Sequence, residues 1–443
     1  MIDFAKQIYQ ETGDSLSTRY DVIVIGGGPS GLMAAITAQN AGAKTLLVEK
    51  GHKLGRKLAI SGGGRCNVTN AKPLDELIKN IPGNGRFMYS ALSQFGNREI
   101  IQFFENLGIA LKEEDRGRVF PRSNKASTVV KALIDQLLTA GVEILQDSPV
   151  KGLRVQDGRI DGIELVSGSV LLAKAVVVAT GGASVPATGS TGDAYPWARA
   201  LGHHIVDPYP TEVPLTSNAT IITQRRLQGL SLQNVTVRLT DHRKTLTTES
   251  GDLLFSHFGL TGPVALRLSH YVSTALRHNP HTALTAWIDL APHKLANSLM
   301  TAFYQARNQV PKRQVKTIMN QSWPERLTEV LLESAEISSS LPVAQLSNAQ
   351  IHTLVQTIKN FPITITGTLP LEKATVTGGG VSIKDIDPRT MASKRCRGLY
   401  FAGEVIDVHA HTGGYNITVA FSTGYVAGQH AALFAHSPDT VLS

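Results

Sequence analysis

Cysteine is nearly absent. Two residues in 443, Cys66 and Cys396, exclude a disulfide scaffold, and neither belongs to a C-x-x-C pair of the redox or zinc-binding kind. Long apolar runs are missing too: none reaches the roughly 18 residues that span a bilayer. Met1 to Tyr20 mixes charged and polar residues and lacks the apolar stretch of a secretory leader. Aromatics make up 6% and charged residues 18%, yet 42% hydrophobic residues exclude a disordered chain. These shortages predict a globular cytoplasmic protein of two or three domains, with no metal site and no membrane partner. Lys and Arg number 43 against 35 Asp and Glu, a net charge of +8. That excess permits a polyanionic partner but does not require one.

What is present is a phosphate-binding grammar. Asp21–Ile25 (DVIVI) reads as a buried strand and runs into Gly26-x-Gly28-Pro29-Ser30-Gly31. An alanine-rich helical pattern follows to Ala41, stopped by Gly42, and Lys44–Glu49 (KTLLVE) reads as the next strand. Glycines at these positions allow a tight turn and close backbone approach to a pyrophosphate at the helix N-terminus. Glu49 is placed to accept from ribose hydroxyls, with Lys50 following directly. Two further strand ends carry glycines: Ala179-Thr180-Gly181-Gly182 after AVVVA, and Phe401-Ala402-Gly403-Glu404 after GLY. Three such ends spread over the chain predict FAD, because a simple nicotinamide dehydrogenase needs no third. Neither Gly181-Gly182 nor Gly378–Gly380 opens a helical pattern with an acidic partner, so no second nicotinamide module is predicted. NADH or NADPH is expected only as a transient donor.

The run Gly55–Asn70 (GRKLAISGGGRCNVTN) is the most unusual in the chain. Gly62, Gly63 and Gly64 let successive N–H groups converge, and Lys57 and Arg65 add positive charge, suited to stabilising a reduced, anionic flavin. Cys66 and Asn67 complete that block. Between about residues 202 and 361 the composition shifts to Thr, Ser, Asn and Gln with short alternating strands, then to a helical stretch from His293 to about Ser334. This predicts three segments: 1–201 and 362–443 forming one discontinuous domain, and 202–361 inserted into it.

GRKLAISGGGRCNVTN, ATGG, GDLLFSHFGLTGP (Gly251–Pro263), VTGGGVS (Val376–Ser382) and FAGEVIDVHAHTGGYNITVAFSTG (Phe401–Gly424) together resemble the BaiN/YhiN-like family of FAD-dependent oxidoreductases. The resemblance runs from about Tyr20 to Ala432. It implies an α/β fold: a Rossmann-like, two-dinucleotide-binding FAD domain with an inserted β-barrel and helical part. It also implies non-covalent FAD held by positions matching Gly26, Gly28, Glu49, Lys57, Arg65, Asn67, Gly403, Glu404, Gly414 and Asn416, with Gly413 and Tyr415 in the same block. Activities in the family include reduction of a uridine C5=C6 bond in ribosomal RNA, oxidation of aminoacetone and a reductive step on bile acids. His409 and His411 depart from its usual pattern.

Three readings of function follow. In the first, hydride passes from flavin N5 to a uridine of large-subunit ribosomal RNA, and an acid protonates the other carbon. Candidates to serve the chemistry are Lys57, Cys66, whose thiol could give a proton, and His257, set between Phe255 and Phe258. The second is an oxidase or reductase of a small amine or carbonyl metabolite. The third is a flavin-holding RNA-binding protein without turnover. For RNA contact, Gly51 to Lys125 holds 13 Lys/Arg against 7 Asp/Glu. Arg116, Arg118, Arg122 and Lys125 cluster there around Phe120, suited to phosphate contact with base stacking.

Overall fold

The computed structural model describes residues 19–437 apart from Arg243, so most of the Met1–Tyr20 segment weighed above lies outside the described residues. The chain divides into two compact units. One runs to Pro208 and resumes at Gly378; the other is Tyr209–Thr377. Both divisions fall later than positions 202 and 361. At the second, the cause is local: strands Phe361–Ile365 and Gly367–Thr368 complete the sheet of the inserted unit.

In the first unit, Tyr20–Ile25 pairs in parallel with Thr45–Val48 on one side and with Val170–Val178 on the other. Glu143–Leu145 extends this sheet beyond Thr45–Val48, and Leu399–Phe401 pairs in parallel with Val170–Val178. The apolar β-branched runs DVIVI and AVVVA are buried, as expected of parallel strands covered on both faces. Helix Pro29–Asn40 joins the first two strands and is buried along most of its length. Its cover is the last helix, Tyr415–His436. A Cβ at Gly424 or Gly428 would run into the backbone of Ser30 or Ala34, so the two helices cross backbone to backbone.

The predicted hairpin is present as Val150–Gln156 and Arg159–Leu165, turned at Asp157-Gly158 with φ of 51° and 72°. It pairs with the first half of Val170–Val178 and so extends the parallel strands into one seven-stranded sheet. Helices Asn97–Asn106 and Ala126–Ala140 fall within a residue or so of their amphipathic patterns, the second ended by left-handed Gly141. A small antiparallel sheet of Thr69–Asn70, Arg118–Pro121 and Leu111–Glu114 was not legible in the pattern.

The inserted unit holds a seven-stranded antiparallel sheet. Its path begins at Phe361–Ile365 and ends at Gly367–Thr368, so consecutive strands form its two ends and the sheet must curl on itself. Four helices of ten or more residues, Pro263–His278, Ala296–Gln309, Glu325–Ser334 and Asn348–Lys359, belong to this unit. Among the described residues, no helix is long and apolar enough to cross a membrane.

Candidate active site

The glycine turn is built as its spacing demands. A Cβ on Gly26 would lie 2.6 Å from the Ala179 carbonyl oxygen, and one on Gly31 would collide with the carbonyl of Gly26. Gly28 differs: its backbone is extended (φ −79°) and nothing lies within 4 Å of where its Cβ would stand. It caps helix Pro29–Asn40 without a side-chain cap, and the first turn carries no acidic residue. Uncapped N–H groups beside open space are what an anionic group at a helix N-terminus requires. Ser30 is buried, with its hydroxyl beside Gly403 and its backbone against Gly424.

Glu49 ends the second strand beside this turn. Its carboxylate accepts from the backbone N–H of Gly27 at 2.7 Å and of Gly51 at 2.9 Å. These two bonds fix its direction and leave acceptor capacity on both oxygens. Lys50 bonds Thr191 Oγ1 and the Asp193 carboxylate, each at 2.5 Å, so its charge is already matched. The AVVVA strand delivers Thr180, whose Oγ1 is buried with no partner; Gly181 beside it is left-handed (φ 76°).

The most convergent feature joins three distant segments. Lys57, on a helix that opens where left-handed Gly55 packs against Val130, reaches Glu404 Oε2 at 2.5 Å and Ser184 Oγ at 2.9 Å. Ser184 Oγ in turn donates to Glu404 Oε1 at 3.1 Å. Ser184 was missed from the sequence because nothing local marks it. Tyr195 was missed as well. Its hydroxyl is buried without a partner, and burial, reinforced by the charges of Glu404 and Asp407, raises its pKa.

Ser61 and Gly62–Gly64 break the helical path: Gly62, Gly63 and Gly64 have φ of 56°, 67° and 82° and are exposed. Successive left-handed residues turn their N–H groups toward one side, forming an anion-receptive concavity. Asn67 is buried with Oδ1 unpartnered, 2.9 Å from the Cβ position of left-handed Gly414. Gly413 accepts from Asn70 Nδ2. Tyr415 is buried in the core. Orphaned oxygens at Asn67 and Thr180, the open cradle at Gly28 and the fixed Glu49 carboxylate fit an extended dinucleotide.

Arg65 is spent on Glu114, bonding both carboxylate oxygens at 3.0 and 3.1 Å while its guanidinium stacks over Phe120. Asn416 holds its own loop, bonding the backbone of Ala410 and His411. Cys66 is fully buried, and burial pushes its thiol up to about 12. His257 lies in the inserted unit, exposed on the turn after Lys244–Phe255, its ring edge-on to Phe258. Phe120 is buried beneath Arg65 and Arg118 and offers no face to a base. Arg118 is paired with Asp115, whereas Arg116, Arg122 and Lys125 are exposed and make no ion pair among the described residues. His409 and His411 are buried, and their backbone bonds to Gly83 and Asn80 stitch the loop to that segment. No cluster of metal-ligating residues is found among the described residues.

Residues 20–430 match the family described as HI0933-like protein Rossmann domain. A ribosomal RNA dihydrouridine synthase of Haemophilus influenzae is 32% identical over 91% of this chain and 96% of its own length. A protein of the same name from Escherichia coli is 31% identical over 93% and 98%. A 3-dehydro-bile acid delta(4,6)-reductase of Clostridium scindens is 29% identical over 92% and 98%. Among solved structures, a 3-ketosteroid delta1-dehydrogenase of Sterolibacterium denitrificans shares the fold, with a TM-score of 0.52 at 15% identity over 94% of this chain and 99% of that one. The chain belongs to the HI0933-like Rossmann family and is an FAD-dependent oxidoreductase.

Proposed function

We propose that this chain reduces a uridine of large-subunit ribosomal RNA to dihydrouridine in the cytoplasm, with NADH or NADPH as electron donor. The observation that carries this reading is the cationic turn at Asp115–Lys125 on the FAD-binding unit. Arg116, Arg122 and Lys125 stand exposed there and close no ion pair among the described residues, though Asp115 lies near Arg116 and Arg122 Nε donates to the Leu111 carbonyl, and their cationic ends can meet phosphates. Two relatives named for that reaction, aligned over nearly their whole length, support it.

FAD, when bound, supplies the two-electron hydride chemistry that saturating a carbon–carbon double bond needs. The residues that would hold it are Gly26, Gly28 and Glu49 at the turn, Thr180, Asn67 and the Gly62–Gly64 arc, with Gly403 and Gly414 giving close backbone approach. Lys57 is held by Glu404 and Ser184, so its amino group is fixed in place rather than swinging in water. A visiting NADH or NADPH is in keeping with Gly181-Gly182 and Gly378–Gly380, neither of which opens a helix.

The test is incubation of the purified holoenzyme with NADPH and unmodified large-subunit ribosomal RNA, followed by mapping of dihydrouridine. Dihydrouridine at a discrete site is expected. Nicotinamide oxidation without it, together with oxygen uptake on small amines, would overturn the reading in favour of a metabolite oxidase.

A further inference from the structure

The inserted unit carries a groove of about 540 Å³ that the flavin chemistry does not use. One wall is helix Asn348–Lys359 and its C-cap, which set His352, Gln356 and Asn360 at i, i+4 and i+8, on one face. Trp287, at the middle of strand Leu284–Asp289, and Thr220 also line the groove. The Trp287 indole N–H donates to Thr240 Oγ1 at 3.1 Å, which fixes the half-buried ring in one orientation. Its register neighbours across the sheet are Arg238 on one side and Pro362 on the other, and the Arg238 guanidinium lies over the ring, 5.9 Å from its centroid, leaving the other face for a ligand.

Two properties narrow the ligand. No Asp, Glu, Lys or Arg lines the groove, so a free carboxylate or phosphate gains no counter-charge inside it. The side chains of Gln356, Asn360 and His352 have no protein partner among the described residues, and the two amides each offer both a donor and an acceptor. A fixed aromatic ring beside mixed donor–acceptor amides suits a flat, neutral, hydrogen-bonding ring, with the Arg238 cation at the indole to meet the backbone that carries it. We infer that this groove takes one unpaired RNA base, stacked on Trp287 and read by Gln356 and Asn360, with Arg238 meeting the adjoining phosphate. This rests on the RNA reading above and gives it a second point of attachment, on the inserted unit.

The experiment measures binding of a fluorescein-labelled short oligouridylate, and of its abasic counterpart, to holoenzyme by anisotropy. Trp287→Ala is expected to weaken oligouridylate binding by about 5- to 150-fold, the range for one base–aromatic stack, at unchanged salt dependence and FAD content. Trp287→Phe should keep most of the affinity, and Gln356→Ala, on an exposed helix face, should lose several-fold without unfolding. Should Trp287→Ala not fold, Gln356→Ala and the abasic strand decide the matter by the same measurement. If both bind like the wild type and the parent strand, while neutralising Arg116, Arg122 and Lys125 weakens binding, the groove proposal is overturned and the RNA reading stands. If the wild type binds neither strand at any salt, both fall together.

Discussion

Lys57 and Glu404 stand 347 positions apart in the chain and meet at 2.5 Å, with Ser184 bonded to both. Their side chains are only 26% and 20% exposed, so removal of either leaves a partly desolvated charge. Lys57→Met should lower stability by about 1–3 kcal/mol, and Glu404→Gln by a similar amount. The double variant should lose less than the sum, giving a coupling of about 1 kcal/mol in urea unfolding of the apoprotein. Strict additivity would mean that the pair is not formed in solution.

Glu49 is bonded to two backbone N–H groups that shape the glycine turn, so its role divides between turn and ligand. Glu49→Gln can satisfy at most part of that pattern, because one carboxylate oxygen becomes an amide donor. FAD titration of the apoprotein should show affinity reduced by about 10- to 100-fold, one or two charge-assisted hydrogen bonds. Unchanged affinity with a lowered unfolding midpoint would confine Glu49 to the turn.

Cys66 gives the chain an alkaline liability. Its thiol titrates near 9.0 when free and about 12 in place, so the folded chain keeps a proton that the unfolded chain releases. Its contribution is complete below pH 9 and is lost as pH rises from there toward 12. Buried Tyr195 and Tyr400, also raised, act in the same direction above about pH 10. Urea midpoints measured at about pH 8 and pH 10 should fall in the wild type and fall less in Cys66→Ala, whatever that variant loses to its cavity. Equal drops in both would show that the thiol does not titrate on unfolding. The native protein should also resist iodoacetamide.

Elements whose cause is local were legible. DVIVI and AVVVA announce buried parallel strands by β-branching alone, Asp157-Gly158 announces its hairpin, and Gly141 its helix end. The Gly26–Gly31 turn is legible because sterics permit no Cβ at Gly26 or Gly31. Residues whose meaning lies in a distant partner were not. Arg65 and Lys57 look alike in GRKLAISGGGRCN, yet one is matched by Glu114 and the other by Glu404, and nothing near either tells them apart. Thr69–Asn70 is too short to show alternation and exists through its pairing with Arg118–Pro121. Phe120 reads as a stacking aromatic among arginines until that small sheet buries it.

The two glycines of the turn separate fold from cofactor. A Cβ at Gly31 would strike the Gly26 carbonyl, and that carbonyl is fixed by the strand leading into the turn. Gly31→Ala must therefore displace backbone in the core, and the apoprotein should unfold several degrees earlier or accumulate in the insoluble fraction. Gly28 has an ordinary extended backbone, and its Cβ would project into open space. In the apoprotein Gly28→Ala should be neutral within about 0.5 kcal/mol, because alanine meets nothing there and gains from a less flexible unfolded chain. The same methyl should stand where the pyrophosphate approaches the helix N-terminus, so FAD affinity should drop by about 10-fold or more. Thermal unfolding without cofactor and FAD titration, run on both variants, read these effects independently. Undiminished FAD affinity in Gly28→Ala would move the pyrophosphate away from this helix and would remove the glycine turn from the cofactor site.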